Sequence, residues 1–285
     1  MIVTPESASP IDYLLIGHMT ADLTPKGRTV GGTVSYAIRT AHAFGLRVGL
    51  VTSTRPDEPL LAELAPYGQI ISVPAAATTT FENIYSPEGR TQVIRGVAAD
   101  LTADHIPPLW RSAPLVHFGP IAGEADNPLL LDLFPHTAKV LVTLQGWLRR
   151  WDSDGRVRFK AWNRAETLRR IDILVFSEED IVESPQLVDD LAPRTRNLFF
   201  TQAERGGIHF QYGLPSRYET PVRDVFNPTG AGDIFATSLL CGYFVTGSII
   251  KATGVAASLA AESVTRFAIE GTPTADEVRA ELADV

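Results

Sequence analysis

The residues best placed to do chemistry form one run, Asn227-Pro228-Thr229-Gly230-Ala231-Gly232-Asp233-Ile234-Phe235. A glycine-rich turn that opens onto an apolar helix leaves backbone N–H groups without intrahelical partners. Those groups and the helix dipole favour negative charge, and the glycines let a bulky phosphate approach the backbone. Asp233 adds a carboxylate beside this positive pocket. An anion hole with an adjacent base is what phosphoryl transfer to a hydroxyl requires. The plain alternative is a turn leading into a helix with a favourable N-terminal charge. Thr229 ahead of the glycines and the long apolar helix behind Asp233 weigh against it.

Other chemistries find no matching pattern. The chain has no GxxxxGK[ST] phosphate loop, no GxGxxG after a strand and no GxSxG elbow. Its six histidines form no HExxH motif and no cluster with cysteine. Only His18, directly after the first apolar strand, is placed to line a site. A length of 285 residues with 45% hydrophobic content suffices for a large core, and no linker or repeat divides it, so one domain over residues 1–285 is expected. The net charge of −8 argues against nucleic acid as a partner, though not against a nucleotide, which needs only local positive potential. The lone Cys241 excludes an intrachain disulfide and reads as a small core residue. No signal-peptide pattern and no apolar run of membrane-spanning length occur, so a cytoplasmic chain without membrane contact is expected.

The elements that must position Asp233 follow from periodicity and punctuation. Short apolar or β-branched runs predict strands at Ile11–Gly17, Arg47–Thr52, Gln69–Val73, Leu115–Phe118, Lys139–Leu144, Ile173–Phe176 and Asn197–Thr201. Helices are predicted at Thr33–Phe44, Leu60–Tyr67, Leu129–Leu133, Arg164–Arg169, Ser184–Leu191, Gly230–Val245, Ile249–Phe267 and Ala275–Leu282. This alternation implies an α/β fold whose central sheet is mainly parallel and covered by helices on both faces. Ligands in such sheets bind at the C-terminal ends of strands. Gly17, Thr201 and the loop before Asp233 all fall there. Two segments differ in character: a polar, turn-rich stretch near 19–30, and alternating runs near 78–97 around Ser86-Pro87-Glu88-Gly89. The second reads as a projecting β-hairpin, a natural lid.

Taken together these residues resemble the ribokinase-like (PfkB) carbohydrate kinases along nearly the whole chain. Pro228-Thr229-Gly230-Ala231-Gly232-Asp233 is the most specific match, with Asn227 where the family carries Asp. The resemblance implies a three-layer ribokinase-like fold with a small hairpin lid, and ATP-dependent phosphorylation of a sugar or polyol hydroxyl. It implies Asp233 as general base, with the amides of Gly230, Ala231 and Gly232 as the anion hole. Asp22, Gly31 and Gly32 would contact the acceptor. Thr201-Gln202-Ala203-Glu204-Arg205-Gly206 is similar to the family's TxGxxG nucleotide loop, with Ala203 in place of the first glycine. ATP would therefore meet Thr201, Gly206 and Thr229, with its adenine packed at Ala256-Ala257-Ser258.

Two departures resemble the inositol kinase-like subgroup. Tyr36 stands where the first helix usually carries Asn, and Ser177-Glu178-Glu179-Asp180 replaces Asn-x-x-Glu. Gln145 and Arg149 fall where that subgroup has a strand end and a following Arg, both within reach of the acceptor. Glu179 and Asp180 would help to hold Mg²⁺ through water, and Asn227 leaves a monovalent cation undecided. An inositol-like polyol is the favoured acceptor, in a monomer or homodimer. The rivals are a nucleoside kinase, with Tyr36, Phe81 and Trp147 stacking on a base, and a non-catalytic sugar- or nucleotide-binding relative.

Overall fold

Tyr13–Ile16 (β1) is apolar throughout and wholly buried, so it becomes the centre of a sheet rather than an edge. The computed structural model describes residues 1–25, 27–86 and 89–284. Lys26 in the first lid segment and Pro87-Glu88 in the expected hairpin turn lie outside the described residues. In chain order β1 is followed by β2 (Thr20–Thr24), β3 (Gly27–Gly31), α1 (Thr33–Ala43), β4 (Val48–Thr54), α2 (Leu61–Leu64) and β5 (Gln69–Pro74). Next come β6 (Thr80–Ser86), β7 (Gly89–Gly96), β8 (Leu115–Phe118), β9 (Lys139–Thr143), β10 (Arg149–Trp151), β11 (Val157–Phe159) and β12 (Ile173–Ser177). The chain ends with α3 (Leu187–Leu191), β13 (Asn197–Thr201), β14 (Gly207–Gln211), β15 (Leu214–Tyr218), α4 (Ala231–Thr246), α5 (Ile249–Ser263) and α6 (Ala275–Ala283).

Among the described residues nine strands form one sheet in the order β15-β14-β13-β12-β9-β8-β1-β4-β5. From β5 to β13 every pairing is parallel, and β14 and β15 add an antiparallel edge. The expected mainly parallel α/β architecture is therefore present, extended by a hairpin that the apolar pattern did not reveal. The two faces are covered differently. One buries α1, α4 and α5 around Leu15, Leu50, Leu141 and Phe199. The other buries short 3₁₀ segments and α3 around Ile16, Phe118, Val142 and Phe176.

Here the expected helices at Leu129–Leu133 and Arg164–Arg169 are corrected to 3₁₀ turns at Pro128–Leu133 and Ala165–Arg170, and Ser184–Leu191 shrinks to α3. Pieces this short do not repay helix nucleation and settle into tighter turns. The helix expected over Ile249–Phe267 stops at Ser263 because the Val264 carbonyl accepts from the Phe226 and Asn227 amides at 2.8 and 2.9 Å. That contact seats the segment just before the glycine turn.

The two lid segments do not act separately. They join in a four-stranded sheet, β3-β2-β6-β7, through parallel pairing of β2 with β6. The lid is thus a sheet rather than the small hairpin expected. Phe81 and Ile94 bury against Ile121 and Ala122 of the loop after β8, which closes the lid base apolarly. Polar ties reinforce it. His18 Nε2 donates to the Ala99 carbonyl at 2.8 Å, and its Nδ1 pairs with Thr79 Oγ1 at 2.8 Å. Buried Glu58 accepts from Arg28 Nη2 and Thr78 Oγ1, each at 2.6 Å. No described helix is long and apolar enough to cross a membrane.

Candidate active site

The glycine turn enters α4 with Gly230 at φ +88°, a left-handed conformation that penalises any side chain. Space forbids one as well, because a Cβ on Gly230 would overlap the Tyr36 ring. Asn227 Oδ1 accepts from the Thr229 amide at 3.0 Å, so Asn227 folds the turn from within. The Ala231 amide reaches the Pro228 carbonyl at 3.3 Å, and Ile234 starts the helical pattern by donating to Gly230. Among the described residues the amides of Gly230, Gly232 and Asp233 have no protein partner. They are orphan donors at the head of a 16-residue helix. Ala231, counted with the anion hole from the sequence, is the weakest of the set.

The turn opens into a cavity of about 840 Å³. Asp233 lies on its floor, and its carboxyl is pushed up to about 6, chiefly by burial. It is partly accessible, but to the confined cavity rather than to bulk water. The Thr33 hydroxyl opposes the shift from close by, although its geometry falls short of a full hydrogen bond. The charges of Asp180 and Asp22 raise the carboxyl further and that of Arg149 lowers it. A carboxyl held near 6 exchanges protons readily at neutral pH, as a general base must.

The lid supplies one wall. Thr20 donates to Asp22 Oδ1 at 2.9 Å, and the Asp22 carboxylate lies directly over Gly31, where a Cβ would overlap it. Gly31 is therefore absent from the cavity wall: it makes room for Asp22, while Gly32 lines the cavity itself. Asn83 and Gln92 face the cavity from neighbouring lid strands, with Gln92 Nε2 donating to Asn83 Oδ1 at 3.1 Å. The Arg149 guanidinium lies over the Phe81 ring at 5.6 Å and reaches the Ile121 carbonyl at 3.3 Å. The Tyr36 ring is 2% exposed among Ile234, Val255 and Leu259, so it offers no face for stacking. Its phenol is raised well above the usual range by burial and by the charges of Asp233 and Asp22. Trp147 lies outside the cavity, stacked on Trp162 at 5.9 Å.

The opposite wall is built from the ends of β12 and β13 and from α5. Asp180 Oδ2 accepts from the Ser177 amide and hydroxyl at 2.8 Å, and its Oδ1 accepts from Gln145 Nε2 at 2.9 Å. Gln145 is thus spent on the acidic strand end. Glu178 pairs with Arg205. That leaves Glu179, exposed on the cavity wall, as the carboxylate open to a cation. Among the described residues no group of three or more metal-binding side chains occurs. A Mg²⁺ ion would fit only as magnesium usually does beside phosphates, mostly hydrated and touched by one or two carboxylates. Thr201, Gly206 and Thr229 line the wall below an apolar shelf of Ala257, Ala260, Ala261 and Val264. Ala203 adopts φ +50°, consistent with the glycine expected there. Ala256 and Ser258 lie off the wall, one in the core and the other donating to Glu281 at 2.6 Å.

Of the site candidates singled out in the sequence, Gly31, Trp147, Ala256 and Ser258 lie off this cavity and, His18 apart, the others line it. His18 does not line it and instead ties the lid base. Sequence reasoning missed Thr20, Thr33, Asn83 and Gln92. Thr33, directly after the glycine pair, was open to discovery; the lid amides carry no local signal. No family model matches the chain. A cytidine kinase from Thermococcus kodakarensis is 26% identical over 255 residues, 82% of this chain and 88% of that protein. A pyrophosphate-dependent kinase in the ribokinase family, solved with a pyrophosphate analog and myo-inositol, superposes with a TM-score of 0.77 at 20% identity, covering 94% of this chain and 99% of that one. Arabidopsis thaliana ribokinase, solved with ribose and ATP, gives 0.75 at 17% identity over 96% and 99%. The chain therefore has the ribokinase-like fold, as its motifs led one to expect.

Proposed function

We propose that this ribokinase-fold chain is a cytoplasmic kinase that transfers the terminal phosphoryl group of ATP to a hydroxyl of a cyclic polyol or related sugar. The observation that carries the reading is a desolvated carboxyl, Asp233, held near 6 beside unpartnered amides on the floor of a lidded cavity. Asp233 takes the proton of the acceptor hydroxyl as its oxygen attacks the γ-phosphorus, and the bond to the β-phosphate oxygen breaks to release ADP. The amides of Gly230 and Gly232, with that of Asp233, stabilise charge on the moving phosphoryl group; such donors contribute ~3 kcal/mol each. Asp22 orients the acceptor by accepting from neighbouring hydroxyls. Arg149 adds positive charge between acceptor and phosphate.

Thr201, Gly206 and Thr229 border the phosphates of ATP. The shelf from Ala257 to Val264 takes its adenine, which favours ATP over pyrophosphate, a donor with nothing to put there. Mg²⁺, where bound through Glu179 and water, would neutralise phosphate charge. A polyol is favoured because Tyr36 is buried, Trp147 lies outside the cavity and the Phe81 ring is buried beneath the Arg149 guanidinium, while Asp22, Asn83, Gln92 and Arg149 suit hydroxyls. A nucleoside acceptor is the second reading. The cytidine kinase relative supports it, as does the Asn83–Gln92 amide pair, which can match the donor–acceptor edge of a pyrimidine.

The test offers myo-inositol, aldoses, ketoses and nucleosides with ATP or pyrophosphate, with and without Mg²⁺, and measures product phosphate esters. The expected result is Mg²⁺-dependent ADP release with a cyclic polyol. Turnover with nucleosides alone establishes the second reading, and turnover with pyrophosphate alone overturns the donor. A thermal shift with an acceptor but no turnover with any donor points to the non-catalytic relative.

A further inference from the structure

A second cavity, about 230 Å³, lies at the far end of the same sheet. Its residues come just before β9, β12 and β13, whereas the candidate active site draws on the segments just after those strands. In a chain of net charge −8 this cavity is lined by Arg169, Arg170, Arg194 and Arg196 with Asp172 as the one carboxylate. Asp172 is fully engaged. It accepts from Arg196 Nη1 at 2.8 Å and from the Val140 amide at 3.0 Å, with Lys139 Nζ at 3.8 Å. Arg169 and Arg194 are exposed and make no hydrogen bond or ion pair among the described residues. Like charges are thus gathered around a hollow without counter-charge for two of them.

The neutral groups are set as donors too. Arg170 Nη1 meets His136 Nδ1 at 2.7 Å, and a guanidinium can only donate, so Nδ1 accepts and the ring proton sits on Nε2. Arg170 itself is held by the carbonyls of Leu131 and Phe134 at 3.1 and 2.7 Å and pairs through Nε with Asp132 at 3.3 Å, so the free positive charge belongs to Arg169 and Arg194. Tyr212 accepts from Arg196 Nε at 3.1 Å, leaving its hydroxyl proton to donate. Tyr212 reaches this position from φ +49° in a two-residue β14–β15 turn, where Asn, Asp or Gly is the usual choice.

We infer that this cavity binds a small phosphate-bearing dianion, inorganic phosphate or the head of a compact phosphomonoester. Forked guanidinium donors match phosphate oxygens in pairs, and the cavity is wide enough for such a group but not for a nucleotide. The inference does not depend on the function proposed above.

The glycine turn also fits phosphate, so the titration uses a Gly232→Asp background whose added carboxylate repels anions there. Inorganic phosphate and glycerol phosphate are titrated separately by calorimetry at constant ionic strength, with chloride as control. One saturable site per chain for either probe is expected, weakened about tenfold or more by Arg169→Gln with Arg194→Gln. In the otherwise unaltered chain the same pair should weaken phosphate binding at this cavity to the same extent and leave binding at the glycine turn unchanged. Absence of saturable binding for both probes at millimolar concentrations, or equal affinity in the double variant, overturns the inference.

Discussion

The two ends of the large cavity are made of different material. At the end proposed for ATP the working groups are backbone: orphan amides of the Gly230–Asp233 turn and the tight Thr201–Gly206 loop. At the lid end they are side chains, Asp22, Asn83, Gln92 and Arg149, drawn from the lid and from the start of β10. Backbone chemistry demands particular conformations and therefore particular residues in a row. Side-chain chemistry demands only that topology bring the right groups together. The first end is thus tolerant of its ligand and intolerant of substitution, while the second can be retuned one residue at a time.

Substitutions at each end sharpen that contrast. The largest effect belongs to Asp233→Asn, which keeps the shape but removes the base. A fall in kcat of ~10²–10⁴-fold, with the fold intact by circular dichroism, is expected. Gly230→Ala should come next, since its methyl meets both the left-handed backbone and the Tyr36 ring. A loss of ~1–3 kcal/mol in stability and a drop of ~10²-fold in kcat would result, measured by urea unfolding and steady-state kinetics. At the lid end Asp22→Asn should raise the acceptor KM by ~10–100-fold while barely moving the KM for ATP. Equal changes in both constants would erase the division between the ends. The smallest effect is a gain: Ala203→Gly relieves a left-handed alanine and should raise Tm by ~1–2 °C.

The same contrast explains what could be read in advance. Gly230-Ala231-Gly232-Asp233 and Thr201 to Gly206 announce themselves because their backbone shapes leave few residue choices. The buried parallel strands were legible for a similar reason, as unbroken apolar runs such as Tyr13–Ile16 and Ile173–Phe176 are unsuited to any exposed element. Asn83 and Gln92 were invisible, being ordinary polar positions until β2 pairs with β6 and turns the lid over the cavity. Gly31 was assigned to the ligand because a glycine pair signals close approach; the approaching group is the chain's own Asp22. Tyr36 and Trp147 were candidates for stacking because sequence cannot tell a buried ring from a presented one. The 3₁₀ turns on one face escaped for lack of length rather than of pattern, since apolar spacing alone does not distinguish them from short helices.

The base role proposed for Asp233 rests on its burial in the cavity. Burial holds its carboxyl near 6, above the ordinary aspartate range, and the base works only when deprotonated. Activity is therefore full above that value and lost as pH falls through it. The direct measurement is kcat/KM for the acceptor from pH 5 to 8 at saturating ATP and Mg²⁺, which reports groups of the enzyme before the acceptor binds. An acid limb with a midpoint about 6 and a slope approaching tenfold per pH unit is expected, absent from the residual activity of Asp233→Asn. A profile flat across that range, or an unchanged limb in the variant, would contradict the base role.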